Sequence, residues 1–114
     1  MATYSVNGNQ FEVSVYGLRI ESDSDKENVF FLDPIDNNWE KYFSADSNWI
    51  ASKNRAIIVY ANENNLRKVD RLVYICWEQV GDPNNVEIEV DINETDRAYL
   101  NGLLVQWFGK HIES

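Results

Sequence analysis

Between Val86 and Ile92 the chain alternates without a break, with Val86, Ile88, Val90 and Ile92 on one parity and Glu87, Glu89 and Asp91 on the other. A period of two predicts a strand with its apolar side chains inward and its carboxylates outward. Downstream the period changes. Leu100, Leu103, Leu104, Trp107 and Phe108 fall at i, i+3, i+4, i+7 and i+8, the spacing of one helical face. Asn93 or Thr95 is placed to cap this helix, Gly109 to close it, and Lys110 and His111 to meet the negative end of its dipole.

Upstream, Thr3 to Val6, Asn7-Gly8 and the run from Phe11 predict a hairpin, because Asn-Gly supplies the positive-φ residues of a tight turn. Phe11, Val13 and Val15 share a parity, whereas Leu18 and Ile20 take the other. A β-bulge at Tyr16-Gly17 would keep both sets on the core side of one strand. Residues 22–28 form a charged turn, and Val29 to Leu32 a short strand that Asp33-Pro34 stops. Over 36–52, Asp36 or Asn37 caps a helix in which Trp39, Tyr42 and Phe43 share a face and Trp49 and Ile50 continue it, with 44–48 a point of breakage. Ala56 to Tyr60 and Leu72 to Trp77 are β-rich runs around a polar connection at residues 62–65, and residues 81–85 make a turn.

The expected architecture is a single α+β domain over 1–114: a mainly antiparallel sheet of about five to six strands, a C-terminal helix packed on one face, and a short helix in the middle. A β-sandwich or barrel with an appended helix is the alternative. Asparagine doublets at 37–38, 64–65 and 84–85 read as turn punctuation.

Composition fixes the class. The 114 residues include 10 Lys plus Arg against 19 Asp plus Glu, for a formal charge of −9. With 44% hydrophobic and 13% aromatic residues the chain is no disordered acidic tail. The N-terminal residues lack a basic region followed by an apolar run, and no segment is long and apolar enough to span a bilayer, so the expectation is a cytoplasmic protein without membrane contact. Cys76 is the only cysteine, which excludes an internal disulfide framework and a zinc ribbon.

Charge is unevenly spread. Residues 12–46 are net −6, 47–77 net +3, 78–96 net −7 with no base, and 97–114 net +1. The acids of the third segment are Glu78, Asp82, Glu87, Glu89, Asp91, Glu94 and Asp96. Like charges in a row repel and add nothing to the fold. A solvated face that keeps the protein soluble accounts for them, and so does an anionic surface for a basic partner. Direct nucleic-acid binding is not expected, because that affinity comes from Lys and Arg neutralising phosphates. The five bases from Lys53 to Arg71 are expected to pair partly with the protein's own carboxylates.

Catalytic and metal chemistry find little support. Asp23-x-Asp25-x-Glu27 starts like a calcium loop, but its sixth position is Asn28 and its twelfth Pro34, where glycine and a bidentate glutamate belong. Glu87, Glu89 and Asp91 lack the further ligands and nearby lysine of a metal nuclease. Cys76, between Ile75 and Trp77, reads as a small buried hydrophobe rather than half of a dyad with His111. No phosphate-loop or dinucleotide glycine pattern and no nucleophile elbow occurs. Neither an enzymatic activity nor a cofactor is expected.

The tryptophans fit a core, with Trp39 and Tyr42 as the exception: aromatics flanked by charge are the composition of an interface anchor. These observations lead to a small acidic protein-binding module, a monomer or homodimer. It would block the nucleic-acid-binding surface of a partner such as a nuclease toxin or a defence complex, in the manner of bacterial immunity proteins or phage anti-defence inhibitors. The expected contact residues are the seven acids of 78–96 with Trp39 and Tyr42. A dimeric secretion or folding chaperone and a small-ligand-binding domain are the alternatives.

Overall fold

In a computed structural model the described residues are 2–6, 9–13, 17–36, 39, 43–44, 54–78 and 85–111. Strands β1 (Ala2–Val6), β2 (Asn9–Val13), β3 (Leu18–Ser22), β4 (Val29–Pro34), β5 (Phe43–Ser44), β6 (Asn54–Asn62), β7 (Asn65–Trp77) and β8 (Val86–Val90) precede one described helix, α1 (Glu94–His111). They form two antiparallel sheets, a small one in the order β1-β2-β5 and a larger one in the order β3-β4-β6-β7-β8. Helix α1 packs across the larger sheet, chiefly on β7, and β1 lies against β8. This is the α+β arrangement with a C-terminal helix that the sequence predicts.

Register explains the core. Ile20, Leu32, Ile57, Tyr74 and Ile88 oppose one another in a single row across all five strands. Phe30, Val59, Leu72 and Val90 make the next row. Both rows point to one face, where Leu100, Leu104 and Phe108 of α1 close over them. The opposite face carries the row Glu21, Phe31, Ile58, Val73 and Glu89, apolar in the centre and acidic at each edge. Phe30, Trp107 and Phe108 meet edge to face, with ring centroids 5.1 to 6.0 Å apart.

Several expectations need correction. The strand read as bulged at Tyr16-Gly17 is two strands in two sheets. Gly17 takes φ 77°, a left-handed conformation that breaks the run where only glycine fits without strain. Of the middle helix expected over 36–52, Trp39 is helical, whereas Phe43–Ser44 pairs as β5 with β2; apart from Asp36 the rest of that span lies outside the described residues. Strand β4 runs on through Pro34, which pairs with Leu18 beyond the last β4–β6 pair, so the missing N–H interrupts no ladder. Gly109 does not close α1, which continues to His111. Val86 keeps the inward parity of Ile88 but is not covered: it is 46% exposed.

The β6–β7 hairpin is longer than its two apolar runs, because Asn62 and Asn65 pair directly and leave Glu63-Asn64 as the turn. Asn62 Oδ1 accepts from the N–H groups of Asn64 and Asn65, at 2.8 and 3.2 Å. A register shift follows, at Ala61 and Val69. Asn28 clamps Ala61 from the β4 side: its carbonyl accepts the Ala61 N–H at 2.8 Å, and its Nδ2 donates to the Ala61 carbonyl at 3.3 Å. On the other side β8 has ended, since it pairs only with Leu72 to Cys76. There α1 substitutes for a strand: the Val69 N–H donates to Asn101 Oδ1 and the Val69 carbonyl accepts from Arg97, each at 2.7 Å.

Candidate acidic interface

Strand β8 is an edge of the larger sheet, and its period-two pattern decides which way each side chain points. Ile88 and Val90 enter the core; Glu87 and Glu89, opposite Ile75 and Val73, face away from α1 and are exposed. Successive side chains on one face of a strand stand about 6.8 Å apart. Asp91 continues the exposed set past the end of β8, and Glu94 adds a charge at the start of α1. Val86, at the other end of the strand, adds an exposed apolar side chain.

Arg19 and Glu21 form an ion pair at 3.3 Å on the far edge of the sheet. Among the described residues, Glu87, Glu89 and Asp91 have no counter-charge of that kind, so their charge is turned wholly to solvent. Three of the five bases of the central segment lie over aromatic rings. Arg71 lies 4.2 Å over Tyr60, Arg67 4.9 Å over Phe108, and Arg55 5.9 Å over Trp39.

The other expected contact residues divide. Glu78 is exposed just after β7, where its carbonyl accepts from Asn54 Nδ2 at 3.2 Å. Asp96 is not at the surface: at 3% exposed it is the one buried charged side chain among the described residues, and burial raises its carboxyl above the usual range. Its N–H donates to Asn93 Oδ1 at 2.9 Å, which identifies Asn93, not Thr95, as the cap. The third position of a helix favours an acid through the dipole, and here that position also faces inward. Trp39 is half-buried and packs on the core below Arg55. Asp82 and Tyr42 lie outside the described residues.

The remaining candidates resolve structurally. Asp23 closes the β3–β4 turn, its Oδ1 accepting the Asp25 N–H at 3.0 Å and its carbonyl the Lys26 N–H at 3.2 Å. Among the described residues no three His, Cys, Asp or Glu side chains are grouped to hold a metal ion. Cys76 is buried in the sheet. His111 is exposed at the end of α1, stacked on Trp107 at 4.5 Å, with Nδ1 2.9 Å from the Trp107 carbonyl. Because a carbonyl only accepts, that nitrogen carries a proton. No described helix is long and apolar enough to cross a membrane. Comparison with protein-family models, curated proteins and solved structures yields no match to this chain.

Proposed function

We propose that the protein is a non-enzymatic protein-binding module whose β8 edge engages a basic surface of another protein. The observation that supports this reading is the solvent-facing row Glu87, Glu89 and Asp91, which has no counter-charge within ion-pair distance among the described residues. An unneutralised row on a chain of net charge −9 raises the encounter rate with a cationic surface and discourages anionic competitors. Partners that bind nucleic acid present such a surface, and an acidic protein lodged there excludes the phosphates by occupancy and by charge. Inhibitors of nuclease toxins or of defence complexes, as bacteria and phages encode, act in this way. A cytoplasmic site of action fits that role. Glu78 and Glu94 are exposed and add charge near this row.

The test reverses Glu87, Glu89 and Asp91 together to Lys. All three are exposed, so the fold should survive. A partner captured by cross-linking in the producing cell should then associate more slowly with the variant, by a factor that shrinks as salt rises. Equal association rates at low salt would refute the electrostatic basis of the reading.

A further inference from the structure

The far edge of the larger sheet is built differently. Among the described residues strand β3 pairs only with β4, and no described strand lies along its other side. The Ile35 N–H donates to the Gly17 carbonyl at 2.7 Å, which sets the phase of the β3–β4 ladder. By alternation Gly17, Arg19 and Glu21 turn their main-chain groups toward β4, while Leu18, Ile20 and Ser22 turn theirs outward. Five residues of open edge, with no proline or lysine among them, are a template for another strand. Beside this edge runs a groove of about 820 Å³ whose walls include Ile35, Leu103, Trp107 and Lys110. Ile35 is 62% exposed there.

We propose that β3 is a self-complementary edge on which a second copy of this chain docks, antiparallel, about a two-fold axis at Ile20. Phase and charge together select this register. Outward-turned residues must face outward-turned residues, so Leu18, Ile20 and Ser22 meet one another's counterparts. Centring the axis on Ile20 pairs Leu18 with Ser22 of the second copy, uses all five residues, and sets Arg19 opposite Glu21 of the second copy, twice. Moving the axis one residue either way keeps the phase but puts Arg19 against its own copy or Glu21 against its own. Moving it half a residue leaves the main-chain groups out of phase. Arg19 and Glu21 already pair within the chain at 3.3 Å on the exposed face, with side chains 57% and 56% accessible. In the assembly they form a four-charge cluster at positions where side chains approach most closely. A two-fold axis perpendicular to the sheet keeps both α1 helices on the same side. The two grooves then face each other, which covers Ile35 and Trp107 and joins the sheets into one of ten strands.

This inference is independent of the β8 reading, because the two edges lie at opposite ends of the sheet. The full chain at micromolar concentration should scatter light as twice 13.3 kDa. Arg19→Glu and Glu21→Arg should each weaken association by about tenfold or more, since each sets two like-charge pairs face to face. Mixing the two variants in equal amounts should restore it, because an edge with two acids then faces an edge with two bases and both cross-strand pairs are again opposite in sign. Circular dichroism checks that each variant is folded. A wild-type mass of one chain, an Arg19→Glu variant as dimeric as the wild type, or a mixture no tighter than its components would each overturn the proposal. In the first case the edge is left to a strand from a different protein.

Discussion

Asn101→Ala removes one atom group, the acceptor for the Val69 N–H, and so tests whether α1 is joined to the sheet by main-chain recognition as well as by apolar packing. Val69 is 4% exposed and lies where β8 no longer runs beside β7, so no β8 carbonyl replaces the lost acceptor. A buried donor left unpaired costs about 1–3 kcal/mol. Two effects reduce the net loss. Alanine is the better helix former by about 0.5 kcal/mol. Asn101 itself is only half-buried, which gives water a route to the exposed amide. The balance is a loss of about 1–2 kcal/mol. For a domain of this size that lowers the thermal midpoint by about 4–8 °C. Urea denaturation measures the energy, and hydrogen exchange locates it, because protection at the Val69 amide should fall more than at Tyr74 in the middle of the same strand. Asn101→Asp keeps an acceptor at the position and should retain more stability than alanine. If Asn101→Ala matches the wild type in urea and Val69 stays protected, the clamp contributes nothing and the helix is held by its apolar face alone.

Two further perturbations follow from the same packing. Leu104 is fully buried against the sheet, so Leu104→Ala should cost about 2–5 kcal/mol in urea denaturation, and a loss well under that range would show that α1 does not close the core. Asp96 gives a pH effect of defined sign: because burial raises its folded-state carboxyl, the folded chain takes up this proton before the unfolded one as pH falls. That contribution is complete below the unfolded carboxyl value and lost as pH rises through the folded one. The stability of the wild type relative to Asp96→Asn should therefore improve from neutral pH toward mild acid, and a constant or worsening difference would contradict the burial argument.

Some elements were legible because one physical cause fixed them. Alternation over Val86 to Ile92 set the outward side of Glu87 and Glu89, since a strand with one buried face has one register. The α1 face was equally readable: Leu100, Leu104 and Phe108 are its buried residues, with Leu103 and Trp107 packed beside them. Val86 defeated the same rule because it sits at the mouth of an edge strand, where alternation persists but cover does not. Asp96 defeated the charge count. Its place one helical turn before Leu100 was the available signal, and summing charge over a segment discarded it. Asparagine does more here than punctuate turns. Asn62 and Asn93 do serve a turn and a cap, yet Asn28 and Asn101 bind the main chain across 33 and 32 residues of sequence. Such long-range pairings depend on where strands end, and no local pattern encodes that.

The two edges of the larger sheet recognise by different physics, and this makes the two proposed contacts separable in one titration. At β8 the strand β1 already lies against the sheet, so what the edge offers a partner is side-chain charge on its outer face. Such a surface acts over a Debye length of about 8–10 Å and loses reach as salt is added. At β3 the offer is main-chain hydrogen bonds and apolar cover, with one ion pair repeated by symmetry. Salt weakens the ion pairs but leaves the hydrogen bonds and the burial of Ile35 and Trp107 in place. Raising salt should therefore slow capture of a basic partner severalfold while the self-association of the chain changes little. If both responded alike, the surfaces would be one interface, and the division of labour between β8 and β3 would be wrong.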